Sequence, residues 1–161
     1  MPTTYCSKNA GRDAKLYHNS GTVASPTWTH IKEARDLSLT MTADSFDVSD
    51  RTSKFKMFGH GTIDVEISGK LTYRTNNTNC DTIRTLFLSG CAAEFALMSN
   101  TISGADGAAE GIRGGFCVFT NSMDFPLNDG MSVDISLKPA YFENGSNAFV
   151  ELAWYDVAAT P

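Results

Sequence analysis

Residues 62–73 alternate without a break. Ile63, Val65, Ile67, Leu71 and Tyr73 fall on one side, and Thr62, Asp64, Glu66, Ser68, Lys70 and Thr72 on the other. Successive side chains of an extended chain point to opposite faces, so a period of two dictates a strand with one dry and one wet face. The pattern recurs upstream, where Leu37, Leu39, Met41 and Ala43 oppose Asp36, Ser38, Thr40, Thr42 and Asp44. It returns downstream, with Met131, Val133, Ile135 and Leu137 against Ser132, Asp134, Ser136 and Lys138. A fourth strand over 115–123 is less regular, because Phe116, Val118 and Phe119 lack polar alternates. Shorter strands are expected over 94–98 and 148–156. Asn128-Asp129-Gly130 is a hairpin signal that pairs 115–125 with 131–138. One helix interrupts the strands, with Asp81 as its N-cap, Ile83, Leu86 and Phe87 as its apolar stripe, and Gly90 as its stop. Residues 103–115 are rich in Gly and Ala, carry no period and read as a loop. With no repeat and no change of composition along the chain, residues 1–161 read as a single β-rich domain.

Composition narrows the function. With 42% hydrophobic residues the 161-residue chain can bury a real core, which excludes global disorder. A formal charge of −5 argues against gripping nucleic acid through its phosphates. No apolar run approaches the ~18 residues of a membrane span, and the N-terminus lacks the apolar stretch of a secretory signal. A soluble, intracellularly made protein is therefore expected, without membrane insertion. Cys80 and Cys91 flank the helix, about 16 Å apart at helical rise, too far for a disulfide. Cys117 sits in an apolar run and reads as a buried thiol. The cysteines read as reduced, with a bridge from Cys6 left open.

Catalytic chemistry finds no constellation. His18, His30 and His60 stand at no ligand spacing, and His60 between two glycines reads as a solvated turn. Asp44, Asp47 and Asp50 resemble a cation cluster, but in a strand a spacing of three turns Asp47 away from the other two. They read as surface charge. There is no nucleophile elbow, phosphate loop or dinucleotide fingerprint, so neither an enzyme nor a cofactor is expected.

Two features exceed what a monomeric sandwich requires. The shared polar face carries Asp36, Asp44, Asp64, Glu66 and Asp134 against Lys70 and Lys138, a net of −3. The stretch 44–60 is dipolar, with Asp44, Asp47 and Asp50 followed by Arg51, Lys54 and Lys56, and with Phe55, Met57 and Phe58 beside the basic half. It reads as a projecting arm, either a hairpin paired with itself or an extension reaching a neighbour. Exposed aromatic and Met residues favour the neighbour.

Several motifs, in order, resemble the major tail tube proteins of long-tailed (siphovirus-like) bacteriophages. They are Trp28-Thr29-His30-Ile31, Ala34-Arg35-Asp36-Leu37-Ser38-Leu39, and Ala43-Asp44-Ser45-Phe46-Asp47-Val48-Ser49-Asp50-Arg51. Gly111-Ile112-Arg113-Gly114 and Val133-Asp134-Ile135-Ser136-Leu137-Lys138-Pro139-Ala140-Tyr141 extend the match to about residues 12–142. The region 54–61 lacks the tryptophan often found there, and residues 142–161 form a longer C-terminal extension than the family's.

The resemblance implies an antiparallel β-sandwich or barrel with one short flanking α-helix, assembling into hexameric rings that stack into a tube. Asp36, Asp64, Glu66, Lys70, Asp134 and Lys138 would then face the lumen, and the 44–60 arm would bridge subunits or rings. It further implies a virion tail component, assembled in the host cytoplasm, with tape measure and terminator proteins as partners and double-stranded DNA as a transient passenger. Four strands from each of six subunits, spaced ~4.8 Å and tilted ~40°, give a bore of roughly 38 Å after side chains. A duplex near 20 Å across passes with room for water. A mildly acidic wall repels DNA and keeps it moving. Two rivals remain: the tube of a gene transfer agent or related injection particle, and a small-ligand-binding β-barrel with an apolar pocket inside.

Overall fold

The computed structural model describes residues 11–52, 54–102, 109–143 and 149–157. After a 3-10 turn at Gly11–Asp13, the chain forms β1 (Lys15–Asn19), β2 (Trp28–His30), β3 (Ala34–Asp47) and β4 (Phe58–Thr72). Helix α1 (Thr78–Ser89) follows, then β5 (Ala93–Met98), β6 (Ala109–Asp124), β7 (Ser132–Pro139) and β8 (Ala153–Val157). All eight strands belong to one antiparallel sheet in the order β2-β1-β5-β6-β7-β4-β3, with β8 also paired to β6.

β6 serves both halves of that sheet. Residues 111–116 pair with β5 and 109–113 with β8, while 116–124 pair with β7. The sheet folds over along this strand, so its two halves face each other across one core. Leu16, Phe95, Leu97 and Ile112 from one half meet Val65, Ile67, Leu71, Ile135 and Leu137 from the other. Ile83 of α1 closes the side, as its stripe predicts, whereas Phe87 lies exposed. The expected mainly-β sandwich with a single flanking helix is what the chain forms.

The alternation places the strands correctly, but several local expectations change. Helix α1 begins earlier than Asp81: the N-cap is Asn77, whose side-chain oxygen accepts from the backbone N–H groups of Asn79 and Cys80. Asp81 lies in the first turn, where it pairs with Arg84. Gly90 ends the helix in the left-handed region at φ 65°, as expected of a glycine stop. His60 is a strand residue opposite Ser45, not a turn. Cys117 is half-buried, with its sulfur 3.6 Å from the Gly90 carbonyl oxygen. Cys80, Cys91 and Cys117 are free thiols, and Cys6 lies outside the described residues.

The largest change concerns 103–115. From Ala109 onward this stretch is the first half of β6, and 103–108 lie outside the described residues. Its glycines signal crowding. A Cβ at Gly115 would stand 2.2 Å from the Phe142 Cβ, and one at Gly114 would stand 2.6 Å from a Leu152 methyl. The C-terminal segment crosses the sheet here at a distance only glycine permits.

One polar clamp fixes the helix to the sheet. Glu33, just before β3, accepts from the side-chain amides of Asn77 and Asn79, both at 2.7 Å. Burial pushes its carboxyl up, but the hydrogen bonds from Asn79, its own backbone and Asn77 outweigh that and hold it below the usual glutamate value. A depressed carboxyl contributes stability above its unfolded pKa and loses it as pH falls through the folded one. Glu33→Gln is therefore expected to lower the melting temperature at pH 7. The gap to the parent should close as pH is lowered below the ordinary glutamate range, read by thermal melts across pH.

Candidate functional site

β3, β4, β7 and the second half of β6 form a four-stranded wall whose outer face carries polar rows, with Phe119 left 60% exposed at the β6 bulge between Val118 and Thr120. The register sets its rows. Thr40 stands opposite Glu66, and Ser38, Ser68, Ser136 and Thr120 line up across all four strands. Arg35, Lys70, Asp134 and Ser122 form the next row, followed by Thr72, Ser132 and Asp124. Thr42 and Asp64 continue the face onto the projecting part of β3 and β4.

The sequence-predicted residues Asp64, Glu66, Lys70, Asp134 and Lys138 thus share one face. Asp36 stands apart. Leaving Arg35 opposite Lys70 and resuming with Ser38 opposite Ser68, the chain bulges at Asp36 and Leu37, and Asp36 takes φ 50°. Its carboxylate lines the rim of the wall beside Lys70 and Asp124, while Leu37 covers Gly69 on the core side.

Arg35 and Asp124 join the wall, and alternation missed both because they sit where the strand patterns begin and end. With Asp36 at the rim and Asp44 accepting from the Thr62 hydroxyl on the projecting hairpin, six carboxylates (Asp36, Asp44, Asp64, Glu66, Asp124, Asp134) stand against three cations (Arg35, Lys70, Lys138), again −3. Lys70 lies 3.4 Å from Asp134 and 3.6 Å from Asp124, and these contacts, Asp134 first, raise its pKa. Lys138 reaches Glu66 at 3.9 Å, and the Ser136 hydroxyl donates to the same carboxylate. Asp64 has no ion pair among the described residues and carries its charge bare.

The 44–60 arm is the end of the β3–β4 hairpin. Asp47 pairs with Phe58, and the Val48 N–H donates to the Met57 carbonyl. Asp47 accepts from the Ser49 N–H and Asp50 from the Thr52 N–H, so these carboxylates shape the turn and do not converge on a cation. Beyond the end of β7 the hairpin is exposed on both sides. Met41, Ile63, Phe46, Val48, Met57 and Phe58 all lie open, and Phe55 is 82% exposed. Ile63 and Met41 keep the apolar phase of their strands but lie past the core that buries Val65 and Ile67.

Away from the wall, one buried network gives the quoted motifs a physical role. Glu94, 2% exposed, receives hydrogen bonds from Arg113 and from Asn19, each at 2.5 Å. The Arg113 guanidinium lies over the rings of Trp28 (5.1 Å) and Tyr155 (5.3 Å) and donates to the Val23 carbonyl. Trp28 and Arg113, far apart in the chain, form one cation–π sandwich, and Ile31 anchors the first motif in the core. Among the described residues no group of His, Cys, Asp and Glu is placed to hold a metal ion.

Solved structures share this fold. A chain in the tail of an empty gene transfer agent particle, determined with C6 symmetry, superposes with a TM-score of 0.70 over 92% of this chain and 99% of that one, at 16% identity. The chain shares its fold with tail proteins. The tail tube of SPP1 matches with a TM-score of 0.70 over 94% of this chain and 81% of that chain, at 10% identity. A chain of the native gene transfer agent virion matches at 0.68 and 16% identity, over 92% of this chain and 99% of that one. No model of a known family matches the chain, and no curated protein does. At such identities the likeness establishes the fold.

The Glu94–Arg113 pair is testable as a structural element. Glu94→Leu should cost about 3–5 kcal/mol in urea denaturation, because it strands a desolvated guanidinium. Combining it with Arg113→Met should recover most of that loss.

Proposed function

We propose that this chain is the structural subunit of a tail tube, six copies closing into a ring and rings stacking into a conduit for double-stranded DNA. The four-stranded polar wall carries this reading. Among the described residues no strand covers the outer edge of β3, nor the β5-side edge of β6 beyond Phe116. These two edges run antiparallel to each other, so β3 of one copy can hydrogen-bond to β6 of the next. Unpaired edges invite pairing, and only closure removes them. Four strands per copy is the number that gives a ring of six its roughly 38 Å bore.

The wall then faces the lumen. Most of its charges are paired with one another, and the −3 left over repels phosphate without binding it. Such a subunit does no chemistry; it has to be rigid, sealed and non-adhesive. Its location is the virion tail, after assembly in the host cytoplasm. Tape measure and terminator proteins are its partners at the lumen and the tube end. A gene transfer agent tube is the second reading, favoured by the superposition on that particle's tail, and it differs only in cargo.

Two experiments test this. Replacing residues 49–56 with Asn-Gly closes the hairpin at Val48 and Met57 and touches no core residue, so a folded subunit should remain. Tube growth should be suppressed in electron micrographs, and normal tubes would reduce the hairpin to an ornament. Thr40→Lys, Thr42→Lys and Asp64→Lys together leave every wall ion pair intact while raising each subunit by four charges. Tubes should assemble with normal length, and DNA ejection should slow and recover partly at higher salt, because each ring now gains counterion-release contacts. Unchanged ejection would separate wall charge from transport.

A further inference from the structure

Two thiols meet where α1 stops. β5 pairs with β6 from Ala93 opposite Phe116, and Gly90 ends the helix just before it. Carried one step back along β5, that register sets Ala92 beside Cys117 and Cys91 diagonal to it. At a strand spacing of ~4.8 Å and a rise of ~3.3 Å, the diagonal spans roughly 6 Å between Cα atoms. Disulfides form across Cα separations of about 4.4–6.8 Å.

A second contact agrees with the register. The Cys117 sulfur stands 3.6 Å from the carbonyl oxygen of Gly90, and that peptide bond leads directly into Cys91. In a trans peptide the oxygen lies within ~3 Å of the next Cα, so the Cys91 Cα is at most about 6.6 Å from the Cys117 sulfur. Burial, and after it the Cys91 thiol, push the Cys117 thiol above its usual range. Each sulfur rests against a carbonyl, that of Ser89 for Cys91 and that of Gly90 for Cys117. A change of χ1 well can carry the two sulfurs toward each other. Cys80, at the opposite end of α1, is about 16 Å from Cys91.

We propose that Cys91 and Cys117 form a latent disulfide, open while the chain is made and closed later by an oxidant of the peroxide class. Exposed Cys91 reacts first. Its sulfur takes one oxygen from hydrogen peroxide, the O–O bond breaks, and a water leaves. Cys117 then attacks that sulfur; the S–S bond forms, the S–O bond breaks, and the Cys117 proton departs with the hydroxyl as a second water. Two thiols lose two electrons and one peroxide gains them. The timing, though not the pairing, rests on the tube reading above. The host cytoplasm keeps thiols reduced, and a released particle meets oxidising surroundings. The link ties the end of α1 to β6 one residue past Phe116, where that strand parts from β5.

The test uses the full chain with equimolar hydrogen peroxide. Trypsin cuts after Arg84 and Arg113, which places Cys80, Cys91 and Cys117 on separate peptides. Mass spectrometry should find the Cys91 and Cys117 peptides joined within one chain and released by dithiothreitol. The melting temperature should rise by about 5–10 °C. Cys91→Ser and Cys117→Ser chains, treated alike, should show no rise. A link through Cys6, a link between chains, or sulfinic acid at Cys91 with Cys117 still a thiol would overturn the pair. For the timing, chains alkylated with N-ethylmaleimide at cell lysis should carry no link, and released particles exposed to peroxide should acquire it. A link already present at lysis, or none in oxidised particles, would overturn the order. A chain that forms no tubes would overturn the tube reading instead, and the link would still be read in the free subunit.

Discussion

One strand holds this fold together. β6 is the seam along which a single sheet doubles back, and each half of the molecule uses a different part of its length. Its first half must accept neighbours on both edges and a crossing segment on its surface, and glycine is the only residue compatible with that crossing. Its second half has the opposite duty, with Val118 packed inward and the polar row from Thr120 to Asp124 turned outward. The core between the two halves, the wall and the free edges all follow from that change of role near Phe116.

This seam also explains what the sequence made legible. Strands with one wet face announce themselves, and the register of Ile63 to Leu71, Val133 to Leu137 and their polar alternates emerged intact. Residues 109–115 did not, because Glu110 and Arg113 fall out of step with a period of two and the glycines imitate a loop. Asp81 was preferred over Asn77 as the helix cap because nothing local reveals that Glu33, more than forty residues upstream, engages Asn77 and Asn79. Arg35 and Asp124 escaped notice because the bulge at Asp36 shifts the pattern and because Asn121, on the core side of β6 opposite Ile135, breaks the apolar alternation before Asp124. The projecting hairpin was visible as a dipolar, aromatic stretch, and its self-pairing supplies the stiffness that a floppy arm would lack.

The Glu94–Arg113–Trp28–Tyr155 assembly joins two of the quoted motifs, the one that begins at Trp28 and the one that contains Arg113. A guanidinium between two rings and against a carboxylate has strict geometry, so it constrains residues on β2, β5, β6 and β8 at once. Apolar core positions accept many substitutes of similar volume.

The row of Ser38, Ser68, Ser136 and Thr120 crosses the wall between charged rows. Short hydroxyls have little side-chain reach and hydrogen-bond readily to water. In the ring of six proposed above, the row would become a hydrated belt of short side chains, and stacked rings would repeat it at regular intervals. A polymer threading such a channel shears a film of water, so its drag is set by solvent viscosity and not by the making and breaking of protein contacts.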